Sequence, residues 1–173
     1  MRVDPLSFFV TTRERAMARN LLWLVERYFP DRKIIVWGAT SHLSRNRASI
    51  ERTVPDSMVP AGQELWDALG EQTYVVGFTS FEGLSGLPKE GENRKLRDIG
   101  VAPENSLEDL LAKAEYDVGF LDLRGADPGS WLTSEITARP LGHAPMKAEW
   151  NRILDGLFFI RQMTPSTMAT EGG

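Results

Sequence analysis

Apolar and polar positions along this chain follow two periodicities, and the change between them marks out the elements. Apolar residues recur at helical spacing from Met17 to Tyr28, after Thr11 and Glu14 at capping-box spacing, and Pro30 ends this first helix. Short, mostly apolar runs predict strands, and the first of them is apolar enough to be covered on both faces. These runs span residues 33–38, 74–78, 117–123 and 156–160.

Two more helices are predicted between the strands. One spans residues 61–69 and ends at Gly70, and the other begins after Ser106, with an acidic residue three positions later. The alternating order predicts an α/β fold, a layered, mostly parallel or mixed sheet flanked by helices. We expect one domain over residues 1–163 and a flexible tail over 164–173. The segments expected to be irregular are 39–60, 80–105 (a long surface loop) and 125–145, with a turn of helix near 130–134.

Composition removes several classes of function. The 173 residues carry 20 Lys and Arg against 24 Asp and Glu, and the resulting net charge of −4 argues against nucleic acid as a partner. The absence of cysteine excludes disulfides, zinc–thiolate sites and cysteine nucleophiles. No apolar run approaches the ~20 residues of a membrane span, so no membrane partner is expected. The apolar patch Leu6–Val10 is too short for a signal peptide, which predicts a cytoplasmic location.

Candidate chemistry lies where the predicted strands end. In parallel sheets ligands bind beyond the carboxyl ends of the strands, so four strand ends are expected to meet at one edge. His42 follows the first strand and could act as general acid or base towards a water or an ester; the alternative is a loop histidine that faces solvent. Glu82 follows the second strand and could orient a histidine or a water, or be a solvated loop acid. The four ends are residues 38–42, 79–83, 122–124 and 161–162.

Other polar residues are weaker candidates. Arg13 and Asn20 fall on the helical face of Met17, which is expected to turn to the core. An arginine in a first turn opposes the helix dipole at a cost of roughly 0.3–1 kcal/mol. A buried arginine at that end suggests a partner or substrate anion, unless Arg13 extends to water. Asp122 and Arg124 share one face of a strand end and are expected to form a structural ion pair that ties the loop. His143 is a weaker candidate than His42, and two histidines do not by themselves make a zinc site, so no metal or cofactor is expected.

Two segments together carry a family resemblance. Residues 12–24 (TRERAMARNLLWL) and 33–43 (KIIVWGATSHL) resemble the erythromycin esterase family, which includes proteins labelled succinoglycan biosynthesis. Its members carry an Arg-x-x-x-Met-Ala-x-Asn helix and a strand that ends in Trp-Ala-His-Asn-x-His. Later stretches are similar in order and spacing, so that the resemblance covers nearly the whole chain. These stretches are residues 58–62, 74–83, 106–111, 120–124 and 158–160.

The resemblance implies a hydrolase without a metal, in which an activated water opens an ester or, in macrolide-resistant members, the erythromycin lactone. It implies roles for the matching residues and for two looser matches: His42, Arg13 and Glu82 in catalysis, and Asn20, Ser41 and Arg124 in substrate binding. The chain matches only the C-terminal half of the family's domain, and the principal catalytic histidine and its glutamate lie upstream. Ala39 replaces the first histidine of the signature, and Thr40 replaces its asparagine.

Three interpretations stay open. The first is an erythromycin-esterase-like hydrolase of which this chain is part, acting on a small-molecule ester or lactone. The second is a non-catalytic binding module that keeps the cleft for a polyketide or a glycan, which the Ala39 replacement favours. The third is a truncated, inactive fragment. All three depend on one spatial expectation, that Arg13 and His42 meet at a common polar opening where the strands of the sheet terminate.

Overall fold

The computed structural model describes residues 5–50, 59–86 and 96–166, with side chains from residue 11 onward. The helices are α1 (Pro5–Trp23), continued by a π-helical turn (Leu24–Tyr28), α2 (Thr40–Leu43), α3 (Ala61–Leu69) and α4 (Leu107–Lys113). The strands are β1 (Val76–Ser85), β2 (Arg97–Asp98), β3 (Val118–Asp122), β4 (Ile136–Ala138), β5 (Met146–Ala148) and β6 (Gly156–Met163).

The main sheet has the order β2-β1-β6-β3 and is mixed. Strands β1 and β6 run parallel from the pair Val76–Gly156 to the pair Gly83–Met163. Strand β3 is antiparallel to β6, and β2 is antiparallel to β1. The predicted α/β fold with a mixed sheet and flanking helices is therefore confirmed, although β1 and β6 are the one parallel pair among the described strands.

The core lies against one face of this sheet. Leu157 and Phe159 of β6 are fully buried on this face. Leu157 belongs to a core cluster with Trp150, whose indole N–H donates to the carbonyl of Ile136 at 2.9 Å. Burying each such side chain contributes roughly 1.5–3 kcal/mol. The other buried apolar residues of this cluster include Ile50, Leu107, Leu123, Leu141, Ile153 and Leu154.

Elements with local end signals were predicted well. Helix α3 has the predicted bounds and is followed by Gly70, whose φ of +53° suits glycine. Helix α4 follows Ser106, whose hydroxyl accepts a hydrogen bond from the N–H of Asp109 at 3.3 Å. Helix α1 begins at Pro5, before Thr11, so the predicted capping box is wrong. Residues 131–133 form the short helical turn expected there. Of the predicted tail, only 164–166 fall within the described residues, where they are irregular.

The predicted strand over residues 33–38 is wrong. This apolar run has no regular structure, and the side chains of Ile35 and Trp37 are 91% and 85% exposed. A strand needs a neighbour for its N–H and C=O groups, and no described strand runs beside this segment.

The predicted long loop over 80–105 is wrong for residues 80–85 and 97–98, which are strands, whereas residues 99–105 have no regular structure, as predicted. Strand β1 continues to Ser85, and β2 pairs with its last residues, while 87–95 lie outside the described residues. Gly83 permits the extension, because a Cβ there would lie 2.2 Å from the carbonyl oxygen of Met163. The sequence reasoning also missed the small pair of strands β4 and β5. Strand β4 lies inside the segment 125–145 that was expected to be irregular, and β5 follows it; with three residues each, both are too short for a clear pattern.

Candidate active site

Helix α1 presents a buried acid instead of the expected basic residue. Glu14 and Ala18, one turn apart, are fully buried, whereas Arg13 and Asn20 are exposed. The prediction that Arg13 and Asn20 face the core with Met17 is therefore wrong. Helix α1 packs on α3. Ala18 is small enough for a close approach of two helices, and Arg13 keeps its charge in contact with water.

The Glu14 carboxylate has a partner on each oxygen. Its Oε1 accepts a hydrogen bond from Nη2 of Arg13 at 3.1 Å, and its Oε2 accepts one from the N–H of Ala61 at 3.3 Å. Ala61 is the first residue of α3, where the helix dipole favours a negative charge. A buried carboxylate is costly unless it is paired, and these partners offset that cost.

His42 lies directly against this carboxylate. Its Nδ1 is 2.9 Å from Oε1 of Glu14, an ion-pair distance without the alignment of a good hydrogen bond. Its Nε2 is 3.5 Å from Nη2 of Arg13. The imidazole is 30% exposed and Arg13 is 53% exposed, so both reach the surface. The expected contact between Arg13 and His42 is present, with Glu14 as a third member that the sequence reasoning missed. The strand that was expected to end beside His42 is absent, because residues 33–38 form none.

The backbone of α2 is held from two sides, which fixes His42. A Cβ on Gly62 of α3 would lie 1.8 Å from the carbonyl oxygen of Leu43, so glycine alone permits this approach. Beyond α2, Arg45 binds Asp155 through two hydrogen bonds of 2.7 and 2.8 Å and stacks over Trp66, with 4.1 Å from Cζ to the ring centroid.

Arg124 belongs to the same network as Arg45. Its Nε donates to Asp155 at 2.9 Å, and its guanidinium lies 4.8 Å from the ring centroid of Tyr74. Burial alone would raise the pKa of Asp155, but hydrogen bonds from Arg45, Arg124 and the N–H of Val75 outweigh it and hold the pKa below the ordinary value. Arg124 is thus part of a structural ion-pair network, but its partner is Asp155 and not the predicted Asp122. Its substrate-binding role stays a prediction.

The four predicted strand ends do not meet at one edge. Residues 122–124 lie where β1 and β6 begin, because β3 is antiparallel to β6. The end of α2 is also tied to that edge, through Arg45 and Asp155. Glu82 pairs with Gln162 near the other end of β1. Gly77 of β1 lies next to α2, since a Cβ added there would be 3.4 Å from the Thr40 side chain. Glu82 lies five residues further along β1, a distance of roughly 17 Å along the strand. The structure therefore separates Glu82 from His42.

The remaining candidates have other surroundings. Ser41 precedes His42 and is half-buried, and its carbonyl accepts a hydrogen bond from Nη1 of Arg47 at 2.8 Å. His143 is held in the left-handed region at φ +66°, and burial, followed by the charges of Arg139 and Arg97, lowers its pKa. The backbone N–H of His143 donates to the carbonyl of Arg139 at 3.2 Å.

Two general features of the described residues complete the site. No three His, Asp or Glu side chains of the described part of the chain come together as a metal-binding group. Within the same residues, no helix has the length and apolar character that crossing a membrane requires.

The family model of erythromycin esterase matches residues 5–163. The chain belongs to the erythromycin esterase family. YbfO of Bacillus subtilis (strain 168), which carries the provisional name of a hydrolase, is 29% identical over 171 residues. That match covers 96% of this chain and 37% of YbfO, so the chain spans less than two fifths of this family member.

Three solved structures share the fold of this chain. A succinoglycan biosynthesis protein matches with a TM-score of 0.74 at 21% identity, over 92% of this chain and 40% of its own. A Bacillus cereus protein matches with a TM-score of 0.68 at 22% identity and the same coverage. A His-to-Asn variant of the erythromycin esterase EreC, in its open conformation, matches with a TM-score of 0.62 at 19% identity, over 88% of this chain and 37% of its own. The family model and the name of YbfO both indicate a hydrolase-like family.

Proposed function

We propose that this chain supplies the Arg13–Glu14–His42 cluster of an ester- or lactone-hydrolysing site, within a larger erythromycin-esterase-type domain. The observation that carries the proposal is the placement of His42 between a buried carboxylate, 2.9 Å from Nδ1, and the Arg13 guanidinium, 3.5 Å from Nε2. A carboxylate at one ring nitrogen favours a proton on that nitrogen, which leaves a lone pair on Nε2.

Each member of the cluster has a distinct chemical task in this proposal. When water adds to the carbonyl carbon, negative charge develops on the carbonyl oxygen, and the exposed Arg13 donates hydrogen bonds to it. His42 takes up at Nε2 the second proton of the added water, and Glu14 stabilises the resulting imidazolium. The carbon–oxygen bond to the leaving alcohol breaks, and the alcohol oxygen receives the first proton of that water from the group that removed it. The group that first deprotonates the water is expected from the part of the domain outside this chain.

The test of His42 uses a chimera in which residues 5–163 replace the matching segment of YbfO. His42→Ala in this chimera should lower kcat for a nitrophenyl ester by about 10²-fold, the usual effect of removing a general acid–base group. The isolated chain should show no esterase activity. Arg15→Ala is the matched control, because Arg15 lies on the same helix and, among the described residues, forms an ion pair with Glu64 at 3.2 Å. Turnover unchanged by His42→Ala would remove His42 from the mechanism.

Glu14 is proposed as a positioning residue, and its test needs a readout other than folding. Glu14→Gln keeps the shape of the side chain but removes the charge opposite Nδ1. We expect a fall of about 10- to 100-fold in kcat, a smaller change in KM, and a displaced pH profile of kcat. The control is Glu64→Gln, which removes the surface partner of Arg15. A pH profile identical to that of the unsubstituted chimera contradicts the role of Glu14.

A second candidate function is a binding module without catalysis. The observation that favours it is Ala39, which lies exposed at the N-cap of α2 where the family signature has a histidine. Alanine neither accepts a proton nor donates a hydrogen bond through its side chain. Calorimetric titration of the chimera with an intact macrolide distinguishes the two functions. Binding without product favours the module, and slow appearance of the opened lactone favours the hydrolase.

A further inference from the structure

One face of the main sheet is open and aromatic. The registers of β1, β6 and β3 place Phe78, Phe158 and Phe120 in a single row across three strands. These side chains are 43%, 37% and 47% exposed, and Val118 in the next row is 64% exposed. The opposite face carries the fully buried Phe159. The described residues therefore cover one face of the main sheet and leave the aromatic face exposed.

The rings form a continuous row that extends beyond the sheet. Phe120 lies 4.9 Å from Phe158, and Phe158 stacks on Phe78 at 5.4 Å with planes 15° apart. Trp37 then contacts Phe78 at 5.7 Å between centroids. Trp37 belongs to the exposed apolar run 33–38, which has no described strand beside it. An apolar patch joined to an unpaired extended segment is typical of a protein-binding surface.

We propose that this open face, defined by Trp37, Phe78, Phe158, Phe120 and Val118, binds the remaining portion of an erythromycin-esterase-type domain. The length comparison identifies this occupant, because the chain accounts for 37–40% of each similar protein. That portion covers the aromatic row and places a strand beside residues 33–38. The inference rests on family membership and on the exposed face, and it holds whether or not the site hydrolyses esters.

The test pairs this chain with the YbfO polypeptide outside the matched segment, produced separately. We expect a one-to-one complex in analytical ultracentrifugation and slowed amide hydrogen exchange in residues 34–37 on mixing. Phe120→Asp should weaken the complex at least about 30-fold, the loss typical of a binding hot spot. Trp131→Asp is the control, because Trp131 is 49% exposed, about as much as Phe120, and lies outside the open face.

A second experiment applies if the separate YbfO polypeptide does not fold alone. In the single-chain chimera, Phe120→Asp should expose residues 34–37 to exchange and lower the melting temperature, while Trp131→Asp changes neither. The proposal is overturned if both experiments give no assembled species, or if the two substitutions act alike. It is also overturned if the isolated chain forms a dimer that Phe120→Asp dissociates, since the occupant would then be a second copy.

Discussion

At the scale of single residues, a buried carboxylate decides which nitrogen of His42 is available. Glu14 lies under the imidazole at Nδ1, and the helix dipole of α3 and the Arg13 guanidinium both favour its negative charge. Nε2 is therefore the nitrogen that remains for a ligand. The same arginine stands beside Nε2, so an oxygen bound there would have a cation and a proton acceptor within reach.

His143 carries a prediction about pH. Its folded pKa lies below the ordinary value of about 6.5, because burial and then Arg139 and Arg97 disfavour the charged ring. Above that pH, both folded and unfolded chains hold it neutral. As the pH falls below about 6.5, the unfolded chain binds a proton that the folded chain resists. We expect the free energy of unfolding to fall by up to about 1.4 kcal/mol per pH unit between pH 6.5 and the folded pKa.

His143→Asn is the variant that isolates this effect. Asparagine tolerates the left-handed backbone at φ +66° but does not titrate. Urea unfolding of both proteins between pH 7.5 and 5 measures the difference. The variant should show a flatter dependence on pH, and equal slopes would show that His143 does not titrate differently in the two states.

At the scale of elements, the contact of α2 with α3 fixes the site and yields a prediction at Gly62. An added Cβ would lie 1.8 Å from the carbonyl oxygen of Leu43 and 2.2 Å from its carbonyl carbon, both backbone atoms. Gly62→Ala should therefore move α2 and separate His42 from Glu14. The better helix propensity of alanine, about 1 kcal/mol, does not compensate for a backbone clash. We expect a lower melting temperature for the isolated chain and at least 10-fold lower kcat for the chimera.

Gly119→Ala is the matched control for Gly62→Ala. A Cβ at Gly119 of β3 has nothing within 4 Å, so the same chemical change should leave stability and turnover nearly unchanged. Equal behaviour of the two variants would contradict the close packing of α2 on α3.

The elements that sequence reasoning predicted correctly are those with local determinants. Gly70 ends α3 and Ser106 begins α4 through bonds within a few residues. The run 33–38 has an equally clear pattern but forms no strand, since a ladder depends on a neighbour far away in sequence or outside the chain. In the site, His42 was found by its place after an apolar run and Arg13 by its spacing on the first helix, and the family resemblance pointed to both again. The sequence reasoning assigned Glu14 to a helix cap. Its spacing of four residues from Ala18 places both on one face of the helix, and this spacing could have predicted that Glu14 is buried.

At the scale of the whole molecule, Asp155 ties distant parts of the chain to the start of β6. It accepts two hydrogen bonds from Arg45 after α2, one from Arg124 after β3, and one from the N–H of Val75 before β1. Removing the charge would leave two guanidinium groups without their shared partner. Breaking a buried ion pair in this way costs about 3–5 kcal/mol.

Asp155→Asn should therefore destabilise the isolated chain by about 3–5 kcal/mol at pH 7 in urea unfolding. The folded pKa of Asp155 lies below its unfolded value of about 3.9, so its contribution is complete above that pH and is lost as the pH falls through the folded pKa. The difference in free energy of unfolding between the unsubstituted protein and Asp155→Asn should then become smaller below about pH 4. Asp122→Asn is the control, because that exposed side chain can still accept from the Tyr74 hydroxyl. If Asp155→Asn lowers the free energy of unfolding no more than Asp122→Asn does, the network does not hold α2 to the sheet.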